Sequence, residues 1–211
     1  MRLSSLSLIA LVALTACDRG RTPAPDPKSD PYAGLELLEP KGKPDFTLTD
    51  LDGKDFNFRR ETDGYVTFLF FGYTHCPDVC PVHMANLGAV LRQQPPEIAN
   101  RVKVVFVTTD PERDSIPVLK EWLGRFNPAI IGLTGTPEEI SKAQEASRVM
   151  PAFRDTTNKL GDGTYSIGHS SAVLGFTADD TLRVVYPFGS NMRQEAWAKD
   201  IPLLVKVGAP R

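Results

Sequence analysis

Tyr65-Val66-Thr67-Phe68-Leu69-Phe70-Phe71-Gly72, followed at once by Tyr73-Thr74-His75-Cys76-Pro77-Asp78-Val79-Cys80-Pro81, is the stretch on which the fold turns. An almost unbroken apolar and aromatic run of this length fits a strand buried on both faces, as in a parallel sheet. The two cysteines come directly after that strand and open the helix that follows. Functional groups in α/β sheets gather at the carboxyl ends of strands. A cysteine at a helix N-terminus also has its thiolate favoured by the helix dipole and by free backbone N–H groups. If the Cys-x-x-x-Cys segment is helical, positions i and i+4 share one face. Both sulfurs can then meet one metal ion or each other.

Working outward, Phe46–Thr49 and Asp55–Phe58 alternate apolar and polar residues around Asp52-Gly53, a hairpin signal. Val82–Gln94 reads as a helix with Met84, Leu87, Val90 and Leu91 on one face, ended by Pro95-Pro96. Val102–Val107 is a second buried strand, Ile116–Phe126 a second helix, and Ala129–Leu133 a short strand. Thr136-Pro137-Glu138-Glu139 is a capped helix start, and that helix is expected to run to Val149. Polar, glycine-containing Pro151–Gly168 reads as a long surface loop. Ser170–Phe176 and Leu182–Tyr186 suggest a second hairpin around Asp179-Asp180, and Arg193–Val205 a closing helix capped by Ser190 or Asn191. Alternating buried strands and helices argue for an α/β sandwich. With the terminal hairpins added, the expectation is a thioredoxin-like core carrying an extra N-terminal β-hairpin.

Of the 211 residues, 41% are hydrophobic and 24% charged, ordinary values for a globular domain. The net charge of −2 leaves no basic excess to neutralise phosphates, which argues against nucleic acid as a partner. Residues 1–16 read as an export signal: Arg2, then an uncharged, mostly apolar Leu3–Leu14 too short to span a bilayer comfortably, then small residues. Leu14-Thr15-Ala16-Cys17 resembles the bacterial lipobox, which implies cleavage before Cys17 and acylation of its sulfur. Acyl chains there would hold the domain at a membrane, on the extracytoplasmic face. Residues 17–40, rich in proline, read as a tether, and the domain is expected over 41–211. With Cys17 consumed, Cys76 and Cys80 remain. In an oxidising compartment such a pair is a disulfide, a metal site, or both in turn.

A metal needs a further ligand, and the chain has three histidines, His75, His83 and His169. His83 is a helical neighbour of Cys80. His169 precedes a core strand whose entering loop, in a thioredoxin-like core, faces the cysteine loop. That makes it the favoured ligand. Two thiolates and one imidazole form a soft, low-coordinate set suited to Cu(I), able to hold Cu(II) with an additional ligand. Structural zinc usually asks for a fourth protein ligand.

Tyr73–Pro81 closely resembles the signature of the Sco/SenC family. Thr109-Asp110-Pro111-Glu112-Arg113-Asp114 resembles its Asp-Pro-x-Arg-Asp segment, and Tyr165–Ser170 its Tyr-x-x-Asp-His-Ser/Thr segment. The resemblance runs from about Gly42 to Leu204. It implies a thioredoxin-like fold, binding of Cu(I) and Cu(II), and help in assembling the CuA centre of cytochrome c oxidase, with the CuA-bearing subunit as partner and other periplasmic copper or thiol-redox proteins as candidates. By position it places the copper ligands on Cys76, Cys80 and His169. One residue departs from the pattern, since Gly168 stands where the family commonly has aspartate. A second function fits the same residues: Cys76 and Cys80 as a redox-active pair keeping the CuA cysteines reduced. Peroxidase chemistry fits less well, because the threonine of a Thr-x-x-Cys motif is out of register, with Tyr73 three before Cys76 and threonine at 74. Asp78, between the cysteines, reads either as a source of negative potential or as a solvated turn residue, and the Asp110–Asp114 segment as adjacent to the site and not ligating.

Overall fold

A computed structural model describes residues 31–159, 165–189 and 193–207. The expected signal segment, Cys17, most of the tether and the Ser190 or Asn191 cap lie outside the described residues. The chain begins with β1 (Leu35–Gly42), the hairpin β2 (Thr47–Asp50) and β3 (Asp55–Asn57), and one helical turn α1 (Phe58–Glu61). It continues with β4 (Val66–Gly72), α2 (Val79–Gln93), α3 (Pro96–Ala99), β5 (Val102–Thr108), α4 (Ile116–Gly124) and β6 (Ile131–Thr134). It finishes with α5 (Pro137–Ala146), β7 (Phe153–Lys159), β8 (Tyr165–Gly168), β9 (Val173–Thr177), β10 (Thr181–Tyr186) and α6 (Gln194–Lys206).

Eight strands form one mixed sheet in the order β1-β10-β9-β4-β5-β6-β2-β3. The pairs β4–β5 and β5–β6 are parallel, as their helical crossovers require, and β9 runs antiparallel to β4. Side chains alternate across the sheet. Phe68 and Phe70 of β4, with Val104 and Phe106 of β5, therefore pack under Met84, Leu87, Leu119, Trp197 and Ile201 on one face. Leu69 and Phe71, with Val105 and Val107, meet Phe58, Ile140 and Ala143 on the other. Every residue of β4 is buried, and each buried Phe or Leu contributes about 1.5–3 kcal/mol. This is the α/β, thioredoxin-like sandwich with the extra hairpin β2–β3, whose turn Gly53 takes at φ 77°.

Two expectations are corrected. The fold begins earlier than Lys41, because β1 starts within the segment read as tether and pairs antiparallel with β10. Its Pro40 falls between the register positions Glu36 and Lys41, where the pairing shifts. An edge strand tolerates proline at such a bulge. Asp200 of α6, fully buried, fixes the strand's approach by accepting from the N–H groups of Ala33 and Gly34 and from the Tyr186 hydroxyl. Second, Pro151–Gly168 is not wholly loop. β7 and β8 form a two-stranded ribbon of their own, with Phe153 opposite Gly168. The helices also differ at their ends: α2 starts at Val79 and α5 stops at Ala146, its Thr136–Glu139 capping box formed as read.

Candidate metal centre

β4 delivers the chain to the site at Gly72. A Cβ there would lie 2.8 Å from the Cys80 sulfur and 2.7 Å from the Phe70 ring, so the close approach requires glycine. Cys76 is not on the helix. A residue before proline is disfavoured in the α region, and Cys76 precedes Pro77; it closes a turn by donating its N–H to the Tyr73 carbonyl (3.2 Å). The i, i+4 helical-face argument for the pair is thus replaced by another contact. Asp78 is the N-cap of α2 but makes no side-chain capping bond. The Cys76 sulfur instead accepts the N–H of Cys80, 3.5 Å away, at the open end of the helix.

The Asp110–Asp114 segment holds both halves of this arrangement. Buried Asp114 accepts from the Thr74 N–H (3.0 Å), the Thr74 hydroxyl (2.5 Å) and the Thr108 hydroxyl (2.7 Å), pinning the cysteine loop to the end of β5. Arg113 pairs with Asp110, donates to the Tyr165 carbonyl (3.1 Å) and stacks its guanidinium 3.8 Å from the Tyr165 ring centre. The Tyr165 hydroxyl donates to Asp110 (3.0 Å). Tyr165 starts β8, and His169 follows β8 directly, so the segment read as adjacent fixes the strand that presents the histidine.

The donor atoms of Cys76, Cys80 and His169 lie within 4.8 Å of one another, the sole grouping of three or more Cys, His, Asp or Glu side chains of this kind among the described residues. His169 Nε2 is 3.7 Å from the Cys80 sulfur, and Nδ1 is 2.8 Å from the Ser170 carbonyl. A carbonyl only accepts, so Nδ1 carries the proton and the Nε2 lone pair faces the sulfurs. Tyr73 and Phe70 set the ring's plane through edge contacts at 5.5 and 5.9 Å. Cys80 is fully buried, while Cys76 and His169 are half-buried. Both cysteines are free thiols. Two sulfurs and one oriented imidazole, with no carboxylate in the group, suit a soft ion such as Cu(I).

The two thiols are unequal. Hydrogen bonding from the Cys80 thiol holds Cys76 down to about 4 against the effect of burial, with further help from the N–H groups of Cys80 and Asp78. Burial pushes Cys80 well up, reinforced by its bond to Cys76 and by that thiolate's charge. At neutral pH the pair is a Cys76 thiolate accepting from a Cys80 thiol.

The other histidines are elsewhere engaged. His75 is partly exposed, its Nδ1 3.1 Å from the Thr74 hydroxyl. His83 is fully buried, with Nε2 2.9 Å from the Ser171 carbonyl, and burial lowers it to about 4, so it is neutral. It ties α2 to the His169 loop. Sequence reasoning missed this strut and the aromatic seat of Tyr73 and Phe70; a histidine three residues past Cys80 on the buried helix face was the available signal for the first.

A family model described as SCO1/SenC matches residues 36–206. The chain is 34% identical over 164 residues to Protein SCO1 homolog 1, mitochondrial, of Arabidopsis thaliana, covering 78% of this chain and 46% of that one. It is 34% identical to Protein SCO2 homolog, mitochondrial, of Homo sapiens, covering 69% and 53%. It spans about half the length of the curated relatives it matches. Among solved structures it is similar to apo Sco1 of Thermus thermophilus (TM-score 0.72, 30% identity, 82% of this chain and 97% of that one). It is also similar to copper-bound ScoI of Bradyrhizobium japonicum (TM-score 0.64, 35% identity, 78% and 100%).

Proposed function

The chain belongs to the SCO1/SenC family, and from that premise we propose that it is a membrane-anchored copper chaperone that helps assemble the CuA centre of cytochrome c oxidase. One observation carries the reading: two thiol sulfurs and an oriented imidazole nitrogen converge within 4.8 Å at the carboxyl end of the central strands. Cys76, Cys80 and His169 would hold Cu(I) as cargo. Their soft, low coordination favours its passage to another thiolate-rich site by ligand exchange. The copper-bound ScoI of Bradyrhizobium japonicum, 35% identical, supports copper as the ion.

The anchor is the acylated Cys17 of the lipobox-like Leu14–Cys17, at the outer face of the cytoplasmic membrane. Asp18 resembles the signal by which some bacteria retain lipoproteins at the inner membrane. A tether would raise the effective concentration of the domain near a membrane oxidase. Among the described residues no helix is long and apolar enough to cross a membrane.

The unequal thiols favour a second reading. A thiolate at Cys76 with Cys80 behind it to resolve a mixed disulfide is the arrangement of a thiol–disulfide reductase, acting on the CuA-site cysteines. Deleting the gene distinguishes the two. Oxidase activity and CuA content should fall with peroxide tolerance nearly unchanged; added copper should rescue the loss if delivery is limiting, and an added thiol reductant if reduction is. Normal CuA content together with marked peroxide sensitivity would refute both.

A further inference from the structure

Met150 is left 73% exposed, yet its backbone is firmly held. Just past α5, Arg148 adopts φ 61°, a left-handed conformation that costs a non-glycine residue about 1–2 kcal/mol. The N–H of Arg148 bonds the Glu145 carbonyl (2.9 Å) and that of Val149 the Gln144 carbonyl (3.0 Å). The buried Gln144 side chain then clamps the next residues, donating to the Met150 carbonyl (3.4 Å) and accepting from the Ala152 N–H (3.0 Å). Beyond lies Phe153, paired with Gly168. The ribbon ends at that pair, with Met150 three residues before Phe153 on one strand and His169 directly after Gly168 on the other. Met150 and His169 line one groove of about 890 Å³, whose walls include Leu37, Leu38 and Val149.

Cys80 is fully buried, whereas Cys76 and His169 are half-buried. Of the three donors, His169 is the one that lines the groove. A thioether is a neutral, soft donor on a flexible three-torsion side chain. Its low affinity suits a ligand that must let go.

We propose that Met150 is a transit ligand for a soft monovalent cation moving between the Cys76–Cys80–His169 set and its acceptor. The inference rests on the copper reading of that set. In the step, the bond from copper to the half-buried Cys76 sulfur breaks as a bond to the Met150 sulfur forms, with His169 retained. Copper stays Cu(I), no electron moves, and the freed Cys76 sulfur keeps its electron pair.

The test is stopped-flow transfer of Cu(I) from the reduced protein to bicinchoninate and back, comparing wild type with Met150→Leu, which keeps size and apolarity and removes the sulfur. Uptake and release should both slow by about tenfold, the effect of one lost interaction in the transition state. Ag(I), a redox-inert soft ion, added beyond one equivalent should shift the methyl NMR signal of Met150. Rates within twofold of wild type, or a methyl signal unmoved by excess Ag(I), would overturn the inference alone. A wild-type protein that binds no Cu(I) would overturn the copper reading and the inference with it. Thermal melts of Met150→Leu close to wild type separate a kinetic effect from misfolding.

Discussion

The ring of Phe153 lies against Gly168, so closely that a Cβ on residue 168 would come within 2.4 Å of it. An apolar ring therefore stands beside Gly168, the position where this chain departs from the resembled motif. Phe153 is 59% exposed and can swing away. Gly168→Asp is accordingly expected to fold, at a cost of about 1 kcal/mol, and to be less than additive with Phe153→Ala in a double-mutant cycle, since either change removes the same contact. A new carboxylate beside the site favours the more highly charged Cu(II) over Cu(I), so the reduction potential of bound copper should fall in Gly168→Asp. Additive stability changes, or an unchanged potential, would count against this account of the departure.

Thiol reactivity follows from the inequality of the pair. The thiolate is the nucleophile, and Cys76, held down to about 4, is ionised across the pH range in which an ordinary thiol is not. Lowering the pH from 8 to 6 should therefore leave alkylation of Cys76 by iodoacetamide nearly unchanged. A thiol of ordinary pKa would slow about a hundredfold over those two units at the acid limit. The rate should fall only as the pH nears 4, and Cys80 should react far more slowly throughout. Peptide mass spectrometry assigns the modified residue; preferential labelling of Cys80, or a steep loss between pH 8 and 6, would reverse the assignment of thiolate and thiol.

His83 is expected to matter for copper although it lies outside the donor group. Its N–H to the Ser171 carbonyl spans from the helix that carries Cys80 to the loop that carries His169. Its ring packs on Phe70 at 4.8 Å, so His83→Phe retains the bulk and loses the strut. Partners one layer out from a metal's ligands typically contribute about 10- to 100-fold in affinity. Cu(I) affinity of His83→Phe, measured by chelator competition, should drop by that much while the far-UV circular dichroism stays native. Unchanged affinity would make His83 a packing residue only.

What the sequence disclosed followed the strength of burial. β4 and β5 are buried on both faces, and the hydrophobic run alone located them and hence the cysteines at their carboxyl end. The β2–β3 hairpin came from alternation and Asp52-Gly53. The β7–β8 ribbon was hidden because it pairs only with itself, away from the main sheet. Phe153 and Arg154 are exposed, and Asp155-Thr156-Thr157 gives no apolar alternation. β1 was hidden because Pro40 and the exposed Leu35 and Leu38 mimic a tether; Asp200, 167 residues away from Ala33, supplies a fixation that no local pattern records. His169 could be chosen over His83 from topology. Which nitrogen faces the sulfurs depends on the Ser170 carbonyl, and why Cys76 is the thiolate depends on the hydrogen bond from Cys80 and on the burial that keeps Cys80 protonated.

The most direct test is an anaerobic Cu(I) titration of the reduced protein, repeated on Cys76→Ser, Cys80→Ser and His169→Ala and on the protein oxidised to the Cys76–Cys80 disulfide. Wild type should bind one copper per chain. Each substitution should weaken binding by orders of magnitude, and the disulfide should abolish it, because a lone imidazole is a poor copper site. Copper retained at wild-type affinity after full oxidation, or in His169→Ala, would place the ligands elsewhere and contradict the central claim.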